Sequence, residues 1–175
     1  MKLLACLSLA AAVAVSACGG VGSAAQGPCP KVAVLPDAAN YPVKDANGNV
    51  VALARLSVAN TPCIYNTTRV DETGFGSLNT TLNVVMVGAR EGRRGVDTIT
   101  APVVVATVTD DGIVTGRRRI EMEVDLDSEG TGRSEEKLSI RMGFKGNGPI
   151  DKHRIIVAFA LDRQDILLNR SQIGR

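Results

Sequence analysis

The stretch "RRRIEMEVDLDSEGTGRSEEKLSIRMGF", Arg117 to Phe144, decides the fold. In its first half Ile120, Met122, Val124 and Leu126 alternate with Glu121, Glu123 and Asp125. In its second half Leu138, Ile140, Met142 and Phe144 alternate with Ser139, Arg141 and Gly143. Successive side chains of an extended strand point to opposite faces, so each half is a strand with one buried and one wet face. Joined as a hairpin, the acidic outer row of the first strand would face Lys137 and Arg141 of the second. Such cross-strand pairs contribute a few tenths of a kcal/mol each and help fix register.

Period two continues outward in both directions. Asp110-Asp111-Gly112 reads as a tight turn, since glycine accepts the positive φ that such turns require. Before it lie the valine- and threonine-rich segments Leu78 to Ala89 and Thr100 to Thr109, with "REGRRG" forming part of the loop between them. Earlier still come "KVAVLP", closed by Pro36, then Val50 to Ala59, and "CIYNTT" after Asn60-Thr61-Pro62. The last strand, Arg154 to Leu161, is apolar on both faces and belongs in the middle of a sheet. Beyond it Asp162 can cap a short helix, with Ile166 and Leu167 on one apolar stripe.

Seven to eight short strands, turn signals between them and no βαβ alternation predict an all-β, antiparallel two-sheet sandwich with a short C-terminal helix. Its likeness to immunoglobulin and fibronectin domains is architectural. The chain has no tryptophan to bury between the sheets, and its cysteine spacing is not that of antibody domains.

The N-terminus reads as a signal rather than as structure. Lys2 supplies a positive start, and Leu3 to Val15 is an apolar run too short to span a bilayer as a helix. Val15-Ser16-Ala17-Cys18 resembles the lipobox of bacterial lipoproteins. That resemblance implies lipid attachment at Cys18, cleavage before it and acylation of the new amino terminus. In that family Gly19 after the cysteine, in place of aspartate, implies the outer membrane. Ordinary cleavage after Ser23-Ala24-Ala25 is the alternative. The expected organisation is a signal peptide over 1–17, a lipidated tether over 18–28 and a β-sandwich over 29–175. The double-faced strand running into "ALDRQDILLNR", and the "CP" that opens the domain, are similar to small lipoproteins of Gram-negative bacteria such as the alphaproteobacteria. That group carries no assigned activity to transfer. No later segment is apolar for long enough to span a membrane.

With Cys6 inside the signal, Cys29 and Cys63 remain as an even pair in an oxidising compartment, and a disulfide is expected. They lie 34 positions apart, and closing such a loop contributes roughly 3–4 kcal/mol by chain-entropy arithmetic.

Candidate chemistry is sparse. "DLDSEGTGRSEE" comes near the calcium-loop pattern, with Asp125, Asp127, Glu129, Gly130 and Glu136 at the right intervals. Glu129 is one carbon too long for its position, Gly132 stands where an apolar residue is usual, and the flanks are strands. A charged loop joining two strands is the competing reading, and no metal is expected. His153 is the single histidine, set between Lys152 and Arg154. Neither G-x-S-x-G nor H-E-x-x-H occurs, so a surface histidine is expected and no catalytic residue is assigned. Paired acids drawn from Asp37, Asp71, Glu72 and the acidic strand would serve glycosidase chemistry, but there are few aromatic residues to stack a sugar. Strand alternation splits Arg117-Arg118-Arg119, with Arg118 on the opposite face from its neighbours, and arginine also discourages edge-to-edge pairing. A net charge of +2 with acidic residues near every basic cluster, and few aromatics, argues against nucleic acid.

The sequence implies no cofactor. It leads to the expectation of a non-enzymatic lipoprotein on the periplasmic face of the outer membrane, acting by protein–protein contact in envelope assembly or maintenance. A ligand-binding, calcium-binding or hydrolytic envelope protein is the competing class.

Overall fold

A computed structural model describes residues 25–26, 29–60, 64–66, 75–92, 96–145 and 153–173. The strands are β1 (Ala25–Gln26), β2 (Lys31–Val34), β3 (Asn40–Lys44), β4 (Val50–Asn60), β5 (Ile64–Asn66), β6 (Phe75–Arg90), β7 (Thr98–Val108), β8 (Val114–Asp125), β9 (Thr131–Lys145) and β10 (Arg154–Phe159). A 3-10 turn over Pro36–Ala38 links β2 to β3, and helix α1 (Arg163–Ile173) ends the fold.

The strands form two sheets. One runs β3-β4-β6-β9, and β5, with β1 outside it, takes β4's place along the rest of β6. Asn60 faces Leu82 and Ile64 faces Asn79, so β4 and β5 advance four positions while β6 advances three. The second sheet runs β2-β10-β7-β8, with β2 parallel to β10 and the other pairs antiparallel. As its two apolar faces required, β10 is central. Its burial alternates, with Ile155, Val157 and Phe159 inside and Ile156 and Ala158 half-buried outside.

The core is the space between the inner faces. Ala52, Ala54 and Leu56 of β4, Leu78, Leu82, Val84 and Met86 of β6 and Leu138 of β9 meet Ile99, Val103, Met122, Val124 and Val157. Tyr41 and Phe159 pack as a tilted pair, with ring centroids 5.4 Å apart. Burying such side chains contributes roughly 1.5–3 kcal/mol each, the main force holding the sheets face to face.

The hairpin expected between the two alternating segments does not form. β8 pairs with β7 and β9 pairs with β6, so the consecutive strands enter different sheets. β6 to β9 form one long two-stranded ribbon, with Phe75–Arg90 and Thr98–Val108 on one side and Val114–Asp125 and Thr131–Lys145 on the other, folded over in the middle. Its tip is the turn expected at Asp110-Gly112, closed by Thr109 N–H to the Ile113 carbonyl at 2.9 Å. Alternation identifies a strand and its buried face but not its neighbour, and the fold in the ribbon exchanged the neighbours.

Candidate functional site

The residues that most resembled a site, Asp125 to Glu136, form the corner where the ribbon folds. Asp127 Oδ1 accepts the backbone N–H groups of Glu129 (3.0 Å) and Thr131 (2.9 Å), and Oδ2 accepts the Thr131 hydroxyl at 3.1 Å. The Thr131 N–H is the main reason the Asp127 carboxyl is held below its ordinary value. Gly130 closes the turn at φ +82°. The same device recurs at Asp45, whose Oδ1 accepts from Asn47 and Asn49 at 2.9 Å each, with Gly48 at φ +83°. An aspartate followed three residues later by glycine is therefore a turn motif here, used twice.

The other carboxylates of the corner are dispersed. Asp125 accepts the Thr98 hydroxyl at 2.8 Å, Glu129 is exposed, and Glu136 lies five residues along β9 from Thr131, roughly 17 Å at strand rise. Among the described residues no group of three or more potential metal ligands converges. Gly132 is required where the sheets part: a Cβ there would lie 2.1 Å from the Asp125 carbonyl oxygen. Arg90 braces the same corner, pairing with Asp97 at 2.9 Å and donating its backbone N–H to the Gly130 carbonyl at 2.7 Å.

His153 is half-buried rather than on the surface, with its Nδ1 shielded and without a partner among the described residues. Asp37 pairs with Arg170 at 2.6 Å. Asp71 and Glu72, like Cys18 and Cys63, lie outside the described residues. Cys29 is half-buried against the core and is not a free thiol.

From the corner β8 and β9 leave side by side, one in each sheet, and each has an unpaired edge among the described strands. Between them opens a cleft of about 190 Å³ lined by Val105, Thr107 and Arg118 and, across the gap, Ser139, Ile140 and Arg141. Gly116 and Arg117 complete the lining. A Cβ on Gly116 would come within 2.7 Å of Thr107 Oγ1, so glycine keeps this wall of the cleft thin. Arg117, Arg118 and Arg141 form no ion pair among the described residues. Strand parity had separated Arg117 from Arg118. On an edge strand long side chains of either face reach round the free side, and both line the cleft. Arg141 and Ser139 join them only because β9 enters the other sheet, which no periodicity in the sequence signals. Three unmatched guanidinium groups beside two hydroxyls suit a carboxylate or other oxyanion, held by charge-assisted hydrogen bonds. The lining contains no nucleophile–base pair.

Among the described residues no helix is long and apolar enough to cross a membrane. No family model matches the chain, and no curated protein matches it. Among solved structures it is similar to the variable domain of the Streptococcus agalactiae AgI/II polypeptide BspA, with a TM-score of 0.23 and 12% identity. The similarity covers 74% of this chain and 77% of that one.

Proposed function

We propose that the chain is a non-enzymatic envelope lipoprotein, held through Cys18 at the periplasmic face of the outer membrane and working by protein contact in envelope assembly or maintenance. The observation that carries the contact is the β8–β9 side, where, among the described residues, two long strand edges stand unpaired around a cleft of unmatched arginines. Unpaired edges are templates for another chain. The anchor rests on Lys2, the apolar run Leu3 to Val15 and the Val15-Ser16-Ala17-Cys18 motif.

A Cys29–Cys63 bridge fits this setting. β1 places Gln26 opposite Ile64 in an antiparallel pair, with Cys29 three residues after the one and Cys63 just before the other.

The test is in-cell photo-crosslinking from position 139, combined with membrane fractionation. The expected result is a discrete crosslinked protein partner, and a Cys18→Ala chain that leaves the membrane fraction. Absence of any protein adduct from the β8–β9 side would overturn the contact reading, and membrane retention of Cys18→Ala would overturn the anchor.

A further inference from the structure

The outer row of β8 reads Arg117, Arg119, Glu121, Glu123, all exposed. None of the four forms an ion pair among the described residues. The neighbour in the sheet cannot match them, because they lie opposite Ala106, Val104, Pro102 and Thr100 of β7. Only Glu123 has a bond there, a 3.5 Å contact from the Thr100 hydroxyl. Two cations followed by two anions on a free edge form a sequence that is its own complement when reversed. We infer that the β8 edge is a self-pairing surface: a second copy of this chain adds antiparallel through its own β8, about a two-fold axis at Ile120.

The register follows from side-chain pairing. Residues directly opposite in an antiparallel ladder share a face and lie close enough to interact. With Ile120 facing Ile120, Arg119 faces Glu121 and Arg117 faces Glu123, and symmetry repeats both pairs. Shifting the axis to Arg119 sets arginine on arginine, and shifting it to Glu121 sets glutamate on glutamate. The charges thus permit one register and oppose its neighbours, so the same row that prevents indiscriminate edge pairing selects one partner. Backbone hydrogen bonds along the edge supply the attraction, and the two four-stranded sheets become one of eight. A two-fold contact of this kind closes on itself and does not propagate into fibres.

This inference needs the edge to be used for contact but not the lipid anchor, and its test is separate. Sedimentation velocity on the purified full chain in detergent, at micromolar concentration, should show a dimer. Reversing either half, R117E/R119E or E121R/E123R, should weaken dimerisation by at least about tenfold. Mixing the two reversed chains should restore a dimer, and so should the fourfold exchange R117E/R119E/E121R/E123R. A monomeric wild-type chain, reversals that leave the dimer unchanged, or a mixture that stays monomeric would each overturn the self-pairing. Any of those results would leave the reading of contact with a different protein to its own crosslinking test.

Discussion

The two sides of the sandwich are finished in opposite ways. On the β2–β3 side the link through Pro36–Ala38 laces one sheet to the other, and α1 lies over that link and over β3. Asp162 caps the helix, accepting the Asp165 N–H at 2.8 Å. The buried Asn169 donates its side-chain amide to the Asp37 carbonyl at 3.0 Å and the Asn40 carbonyl at 2.9 Å. Lys44–Asp165 (2.5 Å) and Arg170–Asp37 (2.6 Å) flank it, and Pro42 sits within the edge strand itself. A covering helix, its ion pairs and an edge proline are concentrated there. On the β8–β9 side two strands of twelve and fifteen residues leave a single corner with edges that no described strand covers. Among the described residues, then, one side of the sandwich is closed and the other open, and the proposed contact uses the open one.

Substitutions can break or sharpen this contrast. The proposed Cys29–Cys63 bridge should matter most: replacing both cysteines by alanine should lower stability in urea unfolding by roughly 3–4 kcal/mol, and an unchanged midpoint would dispose of the bridge. Gly132→Ala should cost about 3 kcal/mol by the same measurement, because its Cβ would strike backbone at the corner from which both open strands depart. Asn169→Ala should cost about 2 kcal/mol, since two carbonyls lose their donor beneath the helix. Arg118→Ala should stay within about 0.5 kcal/mol, as an exposed side chain without an ion pair is not structural. A large loss there would mean that the open edge is held as tightly as the closed one.

The smallest effect lies in acid. Asp45 and Asp127 both have carboxyls held below the ordinary value, first by the backbone N–H of Asn49 and of Thr131 respectively. Each stabilises its turn above the unfolded value, about pH 3.9, and that contribution is lost as pH falls through the lower folded value. Asp127→Asn should therefore lower the melting temperature slightly at neutral pH and flatten its fall below about pH 4.

How much of this was legible depended on whether the signal was local. The two-faced apolar pattern of Arg154 to Leu161 placed β10 centrally, and Asp110-Gly112 marked the ribbon tip, because burial and turn chemistry are written within a few residues. The helix was also legible, through Asp162. Its manner of docking was not: Leu167 is 54% exposed, and the polar Asn169 makes the buried contacts instead. A helix lying over backbone needs a donor for carbonyls, and hydrophobic periodicity is blind to that. The partners of β8 and β9 were illegible for a different reason. A single hairpin and a folded ribbon require the same alternation, and only the steric demand at Gly132 distinguishes them. The cleft inherits that illegibility, since Arg141 meets Arg118 only across the fold.

The folded ribbon also sets a timetable. Pairing can begin at the five-residue turn Thr109 to Ile113 and zip outward through strands near in sequence, where loop closure is cheapest. The parallel match of Lys31 with Arg154 joins the first strand of one sheet to the last strand of the whole chain. A chain synthesised amino end first must therefore hold β2 unplaced until β10 has emerged. The sandwich cannot be completed before the last strand is made, and its first stable intermediate should be the ribbon alone, which pulse-labelled hydrogen exchange would detect as early protection in β6 to β9 and late protection in β2.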